Sequence, residues 1–184
     1  MLVHASAIFV PILAILTNEP LVVGLLVAVS LCYAVSEVLR LRGVNLPGVT
    51  KFTMAMSRPQ ERGGFIARPL YLAIGATLAL ILFPRNIAYA SIAIVAFGDP
   101  VAALVGTKLG RTHVGRKSIE GTIAGFLVSA VVASVLVQPI VATIGSAVAM
   151  LLELAGWPDD NLTMPVGAGI SMMALTLLVS SAFT

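Results

Sequence analysis

Four carboxylates stand inside or at the ends of apolar runs: Glu37, Asp99, Glu120 and Glu153. A charged side chain in a membrane helix costs about 2.5–3.5 kcal/mol, so such residues face a polar cavity or an ion pair. Asp99 is the sharpest case. It precedes Pro100, a helix breaker, and lies about seven residues from the end of its apolar segment, roughly 10 Å at 1.5 Å per residue. A short side chain does not reach water from there. Glu37 has a simpler partner in Arg40, one turn away. Beyond Asp99, the stretch GTKLGRTHVGRKSIEGT (106–122) places Lys108, Arg111, Arg116 and Lys117 in a glycine-rich connection ending at Ser118. Free backbone N–H groups, a Ser118-capped helix start and cations together suit phosphate. Gly110 to Ser118 misses the Walker pattern by one arginine, but a Walker loop follows a buried strand, and here an apolar helix comes first. No Cys/His spacing fits zinc and no G-x-S-x-G fits a serine hydrolase. His113 reads as a solvated loop residue. Carboxylates beside phosphate-attracting cations point to a Mg²⁺-nucleotide, because that ion takes oxygen ligands. Asp99 would then hold the metal or accept a proton.

Composition says what must position these groups. Hydrophobic residues make up 59% of the chain, charged residues 10%, and the mean hydropathy is +1.05, far from a soluble domain. At about 20 residues per crossing, the 184 residues form one membrane-embedded domain, 1–184, and little else. The fold expected is an all-α, polytopic helical bundle of about seven transmembrane helices: 2–16, 20–39, 68–84, 87–106, 118–137, 139–155 and 162–183. The first of these lacks a basic flank and a cleavage site, so it reads as a span. All of the eleven basic residues except Arg85 fall in or at the edges of 40–67 and 107–117. By the positive-inside rule that side is cytoplasmic, with the N-terminus inside. The acidic turn GWPDDN (156–161) falls on the same side by parity. Within 40–67, Leu46, Val49, Phe52, Met54 and Met56 would face lipid if the segment lies as an amphipathic helix, although its Pro and Gly content suits an irregular loop equally. Cys32 has no partner and reads as packing. Gly98, Ala102, Gly106 and Gly110 make a small-residue stripe, repeated by Gly121 and Gly125, that allows close helix approach. Gly98, beside an acid and a proline, reads as an opening near a ligand.

The combination GDPVAALVGTKLGR, KSIEGTIAGF and DDNLTMP resembles the CTP-dependent lipid kinases, which include dolichol, phytol and CTP-dependent diacylglycerol kinases and are grouped with phosphatidate cytidylyltransferases. The resemblance covers about residues 30 to 165. It implies a multispanning cell-membrane enzyme that phosphorylates a lipid alcohol with CTP as co-substrate and Mg²⁺ or another divalent cation, its active-site loops cytoplasmic. CTP as donor rests on this resemblance alone. As catalytic residues it nominates Asp99, Lys117 and Glu120. For the nucleotide and its phosphates the set is Gly98, Gly106, Gly110, Arg116, Lys117, Ser118, Gly121, Thr122 and Arg58, and for metal Asp99, Glu120 and Asp160. Glu61, Asn161, Pro165, Glu37 and His4 are further candidates. In the family an Arg-Lys pair precedes the His of the first span; here His4 is kept and the chain begins where that pair would stand. The expected partners are CTP, the lipid alcohol and the bilayer, with no nucleic acid, and a homo-oligomer through the glycine stripes is left open. A CTP:phosphatidate cytidylyltransferase would use the same site, with a lipid phosphate attacking the α-phosphate. A small transporter or scaffold would explain the spans and glycines but not the converging acids and cations.

Overall fold

The protein is described by a computed structural model that covers residues 4, 6–57, 63–156 and 159–182. Its helices run in the order α1 (Phe9–Leu16), α2 (Glu19–Leu41), α3 (Pro47–Met56), α4 (Arg68–Leu82) and α5 (Arg85–Leu109). A small hairpin of β1 (His113–Val114) and β2 (Lys117–Ser118) follows, then α6 (Ile119–Ala133), α7 (Pro139–Ala155) and α8 (Asp160–Ala182). The fold is all-α apart from that hairpin.

Each of the seven expected segments holds a helix, but only α2, α5 and α8 among the described residues are long and apolar enough to cross a membrane. Among the described residues three helices are thus of span length, and α4, α6 and α7 are shorter apolar helices. The others stop early for local reasons. In α4 the chain turns extended at Phe83 ahead of Pro84, and α6 ends in the turn that carries the chain to Pro139. Fifteen residues reach only about 22 Å, short of a hydrocarbon core of about 30 Å.

Helix α5 is the hub, packed against α1, α4, α6, α7 and α8. Ile87 to Ala96, Gly98, Asp99 and Ala102 are all buried. Its alanines and glycines let neighbours come close. A side chain at Gly125 of α6 would lie 2.7 Å from the Gly98 carbonyl, and one at Gly121 would lie 3.0 Å from Gly106 Cα. The two glycine stripes thus interlock within one chain. Gly98 is packed against Ser129 and Met150, so its small size serves helix contact rather than the ligand opening expected of it. Pro100 does not break α5, which continues through it to Leu109. Membrane helices tolerate an internal proline where neighbouring groups satisfy the freed carbonyl.

The exterior is apolar, as for a membrane protein: Leu25, Val29, Leu31 and Val35 on α2 and Leu177 and Leu178 on α8 are exposed. Within 40–67 the short helix α3 is flanked by irregular chain at 42–46 and 63–67, with Leu46, Val49 and Phe52 exposed and Thr53 buried. Of the residues that would face lipid there, Met54 is only partly exposed.

Two polar ties fix the frame. Arg85 Nε donates to Glu19 (2.9 Å) and to the Tyr89 hydroxyl (3.1 Å), joining the starts of α2 and α5. Toward the other end, the fully buried Glu37 accepts from Arg40 Nε and Nη2, both at 2.8 Å, and from the Ile66 N–H at 3.0 Å. Arg40 also donates to the Gly64 carbonyl (2.6 Å) and Tyr33 to that of Ile66 (2.8 Å). Glu37 is thus the structural ion pair its sequence neighbour Arg40 foretold. It pins the segment that leads into α4.

Candidate functional site

The starts of α4, α6 and α8, the end of α7 and the last third of α5 meet at one end of the bundle around a cavity of about 1140 Å³. A helix start carries free N–H groups and a positive dipole end, and three of them border this space. Its local design is legible in the hairpin. His113 pairs with Ser118 and Val114 with Lys117, leaving Gly115 and Arg116 as a two-residue loop. Gly115 has φ +60°, which such a loop requires and glycine supplies. The hairpin lifts Lys117 back over the bundle, and Ser118 then caps α6, its Oγ accepting from the Gly121 N–H at 3.1 Å. This is the cap expected from the sequence, built on a hairpin and not on a phosphate loop.

Lys117 Nζ sits among three carboxylates from three helices. It donates to Asp160 Oδ2 at 2.9 Å, lies 3.5 Å from Asp99 Oδ1, and is in close contact with Glu153 Oε1. Burial alone would depress the Lys117 ammonium, but Asp160, Asp99 and Glu153 hold it well above the ordinary lysine range. One ammonium faces three carboxylates, so two negative charges remain, with Arg68 on the cavity wall as a further positive neighbour. The three carboxylates each offer an oxygen within 4.8 Å of the others. A buried all-oxygen set with an excess of carboxylates fits a hard divalent cation. Glu153 is also tied to Thr122, whose hydroxyl donates to Oε2 at 3.3 Å.

The structure sorts the sequence candidates plainly. His4, Asp99, Gly106, Gly110, Arg116, Lys117, Ser118, Thr122, Asp160 and Asn161 all line the cavity. Glu120 does not join them. From the first turn of α6 its carboxylate reaches back to accept the Thr112 N–H at 3.0 and 3.3 Å, closing the base of the hairpin. Glu153 stands where Glu120 was expected. Gly121 is packing, with the Ala102 carbonyl where its side chain would go, and Pro165 lies inside α8 against Gly75. Arg58 and Glu61 lie outside the described residues. Sequence reasoning weighed Glu153 as an acid near a helix end but left it out of the site, and it missed Arg68 and Asp159. Glu153 had a signal: it is the one charge in the apolar run of α7, a single turn from its end.

No protein-family profile matches the chain, and no solved structure matches it significantly. An uncharacterised protein of Rickettsia prowazekii is 29% identical over 182 residues, covering 91% of this chain and 89% of that protein. The phytol kinase of Synechocystis is 35% identical over 124 residues, 59% of this chain and 46% of the kinase. The match thus spans about half the length of that enzyme. Over that part of its length, the chain is similar to a lipid kinase.

Proposed function

We propose that this protein is a membrane lipid kinase that transfers the γ-phosphate of CTP to the hydroxyl of a lipid alcohol of the polyprenol, phytol or diacylglycerol type, at the cytoplasmic face. The observation that carries the reading is the buried trio Asp99, Glu153 and Asp160 around Lys117, in a cavity bordered by three helix starts. The partial similarity to phytol kinase supports a kinase over a cytidylyltransferase.

The triphosphate enters where positive groups collect. Arg116 on the hairpin loop, Arg68 at the start of α4 and the N–H groups behind Ser118 receive its oxygens. Lys117 moves its ammonium from the carboxylates toward the phosphates, a short swing for a four-carbon side chain. Asp99, Glu153 and Asp160 would hold Mg²⁺, which would supply positive charge to offset that of the phosphates. Phe52 and Ala55 of α3, which line the cavity, accommodate the lipid. The protein's contribution is then positioning and charge compensation.

The test uses the purified chain with a lipid alcohol and CTP labelled separately at the α and γ positions. Label passing into lipid from the γ position is expected. Label from the α position alone would identify a cytidylyltransferase and overturn the kinase reading, and substrate flux without CTP turnover would identify a transporter.

A further inference from the structure

Around the last third of α5 the surroundings change in a fixed order. Ala102 and Gly106 border α6, where the Ala102 carbonyl and Gly106 Cα lie next to Gly121. Further round the helix, Ala103 and Thr107 line the cavity. Leu104 comes next and is exposed on the outer, lipid-facing side. At about 3.6 residues per turn these positions follow one another round the helix in one sense. The cavity therefore reaches the outer surface along Ala103 and Thr107, on the side away from α6. The Thr107 hydroxyl donates within its own helix to the Ala103 and Leu104 carbonyls, at 2.8 and 3.0 Å, which leaves the methyl group for outside contact. Helix α3 shows the same change of surroundings. It packs against α2 with Thr53 fully buried, while Phe52 and Ala55 line the cavity and are themselves exposed. Lys51 beside Phe52 and Lys108 beside Thr107 are exposed too, one cation from each helix. Exposed cations next to an apolar opening match the level at which a leaflet carries its phosphates.

We propose that the hydrocarbon chain of the lipid alcohol runs out of the cavity between α3 and the end of α5, past Phe52 and Ala55 on one side and Ala103 and Thr107 on the other. The assignment rests on the lipid kinase reading above and deepens it by giving the substrate a path. The occupant is the uncharged tail of an amphiphile whose polar end lies at Lys117 and the three carboxylates. A peptide would leave its own polar groups unpaired there, because none of the four side chains offers a free hydrogen-bond donor. Such a path lets the hydroxyl reach the phosphates while the tail stays in the leaflet, so no apolar surface has to pass through water. The short side chains at 55, 103 and 107 keep it open, and a large one at 103 would narrow it.

The experiment uses the full chain in detergent with a C20 isoprenoid alcohol that carries a diazirine midway along its chain. On irradiation, label is expected in α3 and in the last third of α5, and excess unlabelled alcohol should remove it. Label confined to α4, α7 or α8 overturns the path, as does label missing from both α3 and α5, which a second copy seated there would cause. Ala103→Phe is expected to raise the KM for the unmodified alcohol by about tenfold or more, with kcat and the binding of a fluorescent CTP analogue within about threefold of wild type. Leu104→Phe, one residue on and facing outward, should leave all three within about threefold. Ala103→Phe keeping the wild-type KM overturns the path alone; if that variant is not monodisperse, the label on the wild type decides. Absence of γ-transfer by the wild type overturns the kinase reading, and the labelled segments then decide the path by themselves.

Discussion

Replacing Glu153 with glutamine separates a functional acid from a structural one, because the two roles predict opposite signs. Glu153 is 1% exposed, and its carboxylate lies within 4.8 Å of both Asp99 and Asp160. At an effective dielectric constant of about 20, each such repulsion is at least about 3.5 kcal/mol, while the attraction to one ammonium in contact is about 6 kcal/mol. The two repulsions together offset the attraction, so removing the charge forfeits little Coulomb energy. Glu153→Gln also removes the cost of burying a charge, and the amide oxygen can still accept from Lys117 or Thr122. A net gain of about 1–3 kcal/mol is expected, which for a chain of this size raises the melting temperature by roughly 3–8 °C. Turnover should fall by about 10²-fold or more, since an electrostatic group at the phosphates is lost. Thermal unfolding and γ-phosphate transfer are measured on the same detergent-solubilised sample. A lower melting temperature with turnover retained would refute this, and would make Glu153 a strut for Lys117.

The contrasting acid is Glu120, which holds the hairpin through a backbone N–H that glutamine can also serve. Glu120→Gln should therefore leave turnover within about threefold of wild type and the melting temperature nearly unchanged, read in the same two assays. Arg40→Met strips Glu37 of its cation in a buried setting and should cost about 3–5 kcal/mol, seen as a lower melting temperature. Adding Glu37→Gln to it should recover part of that loss.

Much of the bundle was legible because apolar runs and their breakers are local signals. Pro139 opens α7 and Ser118 caps α6, at or within one residue of the expected starts, and Glu37 found the partner one turn away. What failed was local evidence used for non-local questions. Pro100 reads as a breaker, yet α5 carries on because the helices around it supply the support that an isolated helix lacks. Gly98 reads as an opening beside an acid, yet Ser129 and Met150 fill the space. Glu120 lies three residues from Lys117 in sequence, but the hairpin turns Lys117 toward α7 and α8 while Glu120 stays on the hairpin side. The residue that meets Lys117 is Glu153, 36 positions on, and no spacing rule links two helices whose crossing is set by packing.

Asp99 survives in the middle of the molecule for a non-local reason of the same kind. Helix α5 is enclosed by five others, so an acid on its inner face meets neither lipid nor open water. Its charge is met by what neighbouring segments deliver: the Lys117 ammonium from the hairpin, which Asp99 shares with Glu153 of α7 and Asp160 of α8. Each of these arrives from a different part of the sequence, and each would be a buried charge without compensation if the rest were absent. An apolar residue at position 99 would pack more cheaply among the alanines of α5. The arrangement costs stability wherever it is incomplete, and it is complete only when the whole bundle has closed around the cavity.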